Sequence, residues 1–147
     1  MSLTFTETLR GSYFLLESPE TTRLCEVAVH MRVSRPRELV HAFDAELTGQ
    51  ATFDGLLEQA EITGQVHVEL RRPRSVTYDF SVVAADGRVL RFQGSKHPSL
   101  LRPLYSATTL WGTLQDGDQA LAMVRLHFDL RRDLAVFLQS LSREQDQ

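Results

Sequence analysis

Apolar and polar residues alternate with a period of two along most of the chain, which is the pattern of β-strands that pack on one face and meet water on the other. Cys25, Val27, Val29, Met31 and Val33 share one phase, and Glu26, His30 and Arg32 the other. Phe43, Ala45, Leu47, Gly49, Ala51 and Phe53 alternate with Asp44, Glu46, Thr48, Gln50 and Thr52. The same phase is kept by Ile62, Gly64, Val66, Val68 and Leu70, and by Val76, Tyr78, Phe80 and Val82. Turn residues separate these runs: Ser18-Pro19-Glu20-Thr21, Arg72-Pro73-Arg74 and Gln115-Asp116-Gly117-Asp118. Asp86-Gly87 reads as a tight hairpin turn, because glycine accepts the positive φ such a turn needs. Residues 36–41 have room for one helical turn. The alike segments 47–53 and 62–68 read as neighbouring strands under one constraint rather than as a repeat.

Near the C-terminus the period changes. Leu134, Phe137, Leu138 and Leu141 follow helical spacing behind a capping Asp133, which predicts a helix over about 133–141 that packs on the sheet or plugs a barrel end. About eight strand-like segments joined mostly by short turns favour a closed sheet without edges. The expected fold is therefore all-β: an antiparallel up-and-down β-barrel, calycin- or lipocalin-like, with a C-terminal helix, as a single domain over residues 1–147. Gly49, Gly64 and Gly94 fall on inward phases. Glycine there marks a bend or close approach, or else space kept for a ligand.

The 147 residues, 42% hydrophobic and 24% charged, suit one globular domain, and a net charge of −3 gives no footprint for nucleic acid. The lone Cys25 excludes an internal disulfide and a thiolate zinc site. The five histidines show no ligand spacing, and His30, His67 and His127 fall on wet phases, so no metal is expected. No apolar run approaches the ~18 residues of a membrane span, and no basic and apolar leader opens the chain, so a cytoplasmic setting is expected. Dinucleotide and phosphate-loop motifs are absent, and Ser106, Thr108 and Thr109 lack nucleophile-elbow glycines, so no cofactor is implied. Arg71, Arg72 and Arg74 cluster at a turn, as a solvated hairpin end or an anion or partner contact.

Two charges break the alternation. Glu7 shares its phase with Leu3, Phe5 and Leu9, and Lys96 shares its phase with Leu90, Phe92 and Gly94. A charge among apolar neighbours must be paired, neutralised or wet. Either both residues snorkel to solvent from strand ends, or they are polar anchors in an apolar cavity. The candidate ligand-binding set is Glu7, Tyr13, Gly49, Gly64, Tyr78, Phe80, Phe92, Gly94, Lys96, Thr109 and Trp111, with Tyr105 a further possible liner. Should the chain be an enzyme, Glu7, Lys96 and Tyr78 are the candidate catalytic groups.

The segment Phe-Thr-Glu-Thr-Leu-Arg-Gly (5–11) resembles the Phe-Thr-Glu-x-Met-x-Gly opening of a β-rich segment that accompanies some sterol-oxidase-like flavoproteins of the glucose–methanol–choline oxidoreductase superfamily. The likeness continues through His41-Ala42-x-x-Ala45-x-Leu47-Thr48-Gly49, Tyr78-x-Phe80 and Asp86-Gly87-x-x-x-x-Phe92-x-Gly94-x-Lys96. It closes with Thr108-Thr109-Leu110-Trp111 and Phe137-Leu138-x-x-Leu141. The resemblance implies an accessory module that travels with lipid- or sterol-directed enzymes. The flavin-binding half is absent here, Leu9 stands where the family pattern has methionine, and no oxidoreductase activity carries over.

Three functions fit these residues. The first is a binding module for a small hydrophobic molecule such as a lipid, sterol or polyketide-like compound, with a partner enzyme or a second copy as possible company. The second is a small-barrel isomerase or cyclase acting on a natural-product intermediate, with Glu7 as base and Lys96 or a tyrosine stabilising negative charge. The third is a protein-interaction domain with a filled core.

Overall fold

A computed structural model describes residues 3–33, 42–69, 75–96 and 109–127. These form eight strands: β1 (Leu3–Leu15), β2 (Arg23–Val33), β3 (Ala42–Phe53), β4 (Leu57–Glu69), β5 (Ser75–Val83), β6 (Val89–Lys96), β7 (Thr109–Asp116) and β8 (Gln119–His127). Each pairs antiparallel with its sequence neighbour, and β1 pairs with β8 to close the barrel. Closure pairs the first strand with the last, which would otherwise be the two open edges of the sheet. The predicted 133–141 helix, the helical turn at 36–41 and the Arg72-Pro73-Arg74 turn lie outside the described residues.

The register fixes the barrel's dimensions. One row of paired residues runs Thr4, Arg32, Glu46, Gln65, Asp79, Gln93, Thr113, Met123 and back to β1 at Phe14. The circuit therefore returns ten residues further along β1 than it began. Eight strands with that stagger tilt roughly 40° from the barrel axis, with a backbone radius of about 8 Å. Such an interior is filled by side chains or holds one small ligand.

Alternation becomes an apolar inside and a polar outside. Val27, Val29, Leu47, Phe53, Ile62, Phe80, Phe92, Leu114 and Leu126 are buried within one core cluster. Outside, Arg10 meets Glu26 at 3.1 Å and Arg91 meets Asp79 at 2.6 Å. Glu46, Glu61, His67 and Arg125 share that outer wall and are exposed. A lipid-facing barrel has the opposite polarity, with an apolar outer band. Among the described residues no helix is long and apolar enough to cross a membrane.

The two ends of the barrel differ. At one end, residues 54–56, 84–88 and 117–118 make short turns, beside the 16–22 loop. The Asp86-Gly87 hairpin is one residue longer than a two-residue turn. Gly87 N–H donates to the Ala84 carbonyl at 2.9 Å, Ala84 N–H to the Arg88 carbonyl at 2.8 Å, and Gly87 takes φ +90°. This is a type I turn closed by a left-handed residue. Gly117, with φ +61°, opens a two-residue hairpin between the paired Asp116 and Gln119. At the other end β1 begins, β2, β4, β6 and β8 finish, and β3, β5 and β7 start. The segments 34–41, 70–74, 97–108 and 128–147 all leave from this second end.

Candidate functional site

The interior is apolar along most of its length. Among the described residues, the buried charged side chains are Glu7 and Lys96, 7% and 5% exposed. Both sit near the second end: Glu7 is on the inward phase of β1, and Lys96 is the last residue of β6. Their strands are not neighbours in the barrel, and Tyr78 on β5 links them across it. Tyr78 Oη donates to Glu7 Oε1 at 2.8 Å and accepts from Lys96 Nζ at 3.3 Å. The ammonium also lies 5.3 Å from the Tyr78 ring centroid. The result is one directed chain of donors, ammonium to phenol to carboxylate, in a region of low dielectric where such chains reinforce one another.

Burial sets the proton affinities. Lys96 is lowered to about 8, because burial penalises the ammonium more strongly than the Glu7 carboxylate supports it. Tyr78 is raised well above the ordinary phenol value, first by burial and then by the adjacent Glu7 carboxylate. Tyr78 thus keeps its proton and can pass it only by exchange, whereas Lys96 can give up its own near neutral pH.

Phe80 and Phe92, expected to line the site, stack on each other at 4.7 Å between centroids and are fully buried. The inward glycines do not leave open space beside them. A Cβ on Gly94 would meet the Phe92 ring at 2.8 Å, and one on Gly64 would meet Phe80 Cα at 2.4 Å. At Gly49, φ +147° aims a Cβ at the Ala28 carbonyl oxygen, 1.9 Å away. All three positions serve close approach and bending, which corrects the expectation that they keep room for a ligand.

Three further candidates fall elsewhere. Tyr13 is buried at the turn end, where its hydroxyl donates to the Asp54 carbonyl and its ring lies 5.1 Å from that of Phe53. Trp111 is 52% exposed on the outer wall, with the Arg125 guanidinium 5.7 Å from its ring centroid. It does not line the interior, because the phase of β7 turns it outward. Thr109 shares the phase of Trp111 but is buried, and its hydroxyl lies 3.2 Å from His127 Nδ1. Tyr105 lies outside the described residues.

His30, His67 and His127 take the exposed positions their phases predict. No grouping of three or more His, Cys, Asp or Glu suited to a metal ion occurs among the described residues. The free Cys25 is buried and its thiol is pushed up to about 12 by burial, so it remains a protonated, unreactive thiol at neutral pH.

One signal in the sequence marks the site more sharply than phase does. Of the sixteen cationic residues, fifteen are arginine, and Lys96 is the single lysine. Every routine cationic role on this protein falls to a guanidinium, and its one side-chain amine is buried beside a phenol and a carboxylate. The chain matches no protein-family model, no curated protein and no solved structure.

Proposed function

We propose that this barrel binds a small, mainly hydrophobic molecule whose polar group engages the Glu7–Tyr78–Lys96 cluster. The observation that carries the reading is the burial of two opposite charges, bridged by one phenol, at the end of an otherwise apolar interior. A buried ion pair is poor evidence of a stabilising role, since apolar side chains of similar volume commonly serve stability as well or better. Its placement near an end of the barrel, rather than at mid-height, supports the reading. An apolar lining with a few convergent polar groups of shifted proton affinity is the usual make-up of a small-molecule site.

The reading extends to a calycin-like carrier or accessory module working in the cytoplasm, with lipids, sterols and polyketide-like compounds as first ligands to try. The family resemblance of residues 5–11 and 86–96 recommends sterols and a partner oxidoreductase. The test is a fluorescence titration with N-phenyl-1-naphthylamine, followed by displacement with a fatty acid, a sterol and a long-chain alcohol. Glu7→Gln and Lys96→Met should weaken the neutral polar-headed competitors, sterol and alcohol, by about tenfold while leaving the uncharged probe within about twofold. Failure of wild-type protein to bind any of these compounds would sink the reading.

A second reading draws on the donor chain itself. A base, a phenol and an amine in hydrogen-bond sequence can move protons, which suits an isomerase or cyclase acting on a bound intermediate.

A further inference from the structure

We propose that Lys96 anchors its ligand covalently, by condensing with a hydrophobic aldehyde or ketone to form an imine. The inference rests on the binding reading above and names the chemical class of the ligand. Three observations carry it: the Lys96–Tyr78–Glu7 donor chain, its seat in an apolar interior, and the singularity of the amine.

A guanidinium matches a buried carboxylate better than an ammonium does, but it is not a usable nucleophile. This chain uses arginine for its other fifteen cations and lysine only here. The choice makes chemical sense where an amine must lose its proton. An anionic ligand is disfavoured at the same spot, because the Glu7 carboxylate already accepts the Tyr78 hydroxyl at 2.8 Å. A neutral carbonyl oxygen meets no such repulsion and can accept from the same donors.

The geometry supplies the protons. A shift along the chain, from Lys96 Nζ to Tyr78 Oη and from Tyr78 Oη to Glu7 Oε1, turns ammonium and carboxylate into amine and carboxylic acid without a free phenolate. The amine lone pair then attacks the carbonyl carbon and the π electrons move to oxygen. That oxygen takes a proton from Tyr78, which is reprotonated by the new C–N ammonium, and a neutral carbinolamine results. Glu7 next returns its proton through Tyr78 to the carbinolamine hydroxyl. The C–O bond breaks, water leaves, and the nitrogen lone pair forms the C=N bond. Overall, ammonium and carbonyl give a protonated imine and water, and the Glu7 carboxylate again faces a cation. Desolvated lysines are the usual amines for this chemistry, and lowering to about 8 leaves roughly a tenth of Lys96 neutral at pH 7.

The experiment treats the intact protein with nonanal and cyanoborohydride, then maps the reduced adduct by peptide mass spectrometry. Only the N-terminal amine competes with Lys96, so the assignment is unambiguous without any variant. One alkyl group on Lys96 is expected, with labelling falling roughly a hundredfold in urea, where the amine returns to its ordinary affinity. Lys96→Arg should remove the adduct, and Glu7→Gln should slow its formation about tenfold while leaving its position unchanged. An adduct confined to the N-terminus, or labelling of Lys96 equal in folded and unfolded protein, overturns the inference. So does an unchanged rate in Glu7→Gln for the proton relay. Binding of N-phenyl-1-naphthylamine is measured in parallel. If it binds without adduct formation, the covalent anchor falls and the binding reading stands; if neither occurs, both fall.

Discussion

Two tyrosines, both almost fully buried inside the same barrel, do different things at its two ends. At the turn end the Tyr13 hydroxyl donates to a main-chain carbonyl, that of Asp54, beside the Arg23 side chain, and its ring packs on Phe53. At the other end the Tyr78 hydroxyl is held between a carboxylate and an ammonium. The first arrangement closes a turn over an apolar core and asks nothing of any ligand. The second holds two charges out of water, which costs more than an apolar filling would. The comparison separates a phenol satisfied within the fold at the turn end from one held between two buried charges at the other.

The largest effect should come from splitting the charges. Glu7→Leu alone strands a buried ammonium and should cost about 3–5 kcal/mol in urea unfolding, whereas Glu7→Leu with Lys96→Met should recover most of it. Small, additive costs for Glu7→Leu and Lys96→Met would show that water already screens the pair, and the contrast between the ends would vanish.

Next comes the tyrosine exchange itself. Tyr78→Phe removes a hydroxyl bonded to two buried charged groups and should cost about 3 kcal/mol, against about 1–2 kcal/mol for Tyr13→Phe, whose hydroxyl bonds the Asp54 carbonyl and meets the Arg23 side chain. Equal costs would mean that the two hydroxyls serve the same structural purpose.

The glycine seats of the Phe92 ring sharpen the picture of a filled middle. Gly94→Ala should cost about 1–3 kcal/mol by overpacking, and Phe92→Leu should relieve much of that cost because the nearest contact is the ring. Gly112→Ala should not be relieved to the same extent, since its Cβ would also meet the Gln93 carbonyl oxygen at 2.7 Å. If Gly94→Ala leaves stability unchanged yet weakens a hydrophobic probe, the middle of the barrel is ligand space after all.

The smallest effect is in pH. Lys96 releases its proton at about 8 in the folded protein, while an unfolded lysine holds it to above 10. Above pH 8 this site therefore binds more protons in the unfolded state, and its contribution to stability should rise by about 1 kcal/mol between pH 8 and pH 9. Cys25 opposes this over the same window, because its raised thiol keeps a proton that an unfolded thiol, titrating at about 8.5, loses. Chemical denaturation at the two pH values, repeated in Lys96→Met, isolates the lysine; an equal rise in the variant would assign the effect to other groups.

Much of this was legible in the sequence. The period of two determined the strands and which side chains face inward, because a one-residue slip would turn every apolar side chain to water. It also marked Glu7 and Lys96 as misplaced charges, since inward phase is a property of the strand alone. Trp111, whose polar tip on an apolar body suits a liner, lies outside because the phase of β7 turns it there. What only the tertiary structure decided was which inward residues meet. Glu7 and Tyr78 lie 71 positions apart in sequence, and their contact depends on closure between β1 and β8 and on a ten-residue stagger. That stagger is set jointly by eight registers, none of which any single strand encodes. The same holds for the glycines. Sequence showed that Gly94 lacks a side chain to fill the interior, but only packing showed that the space belongs to Phe92, a ring two residues away on its own strand.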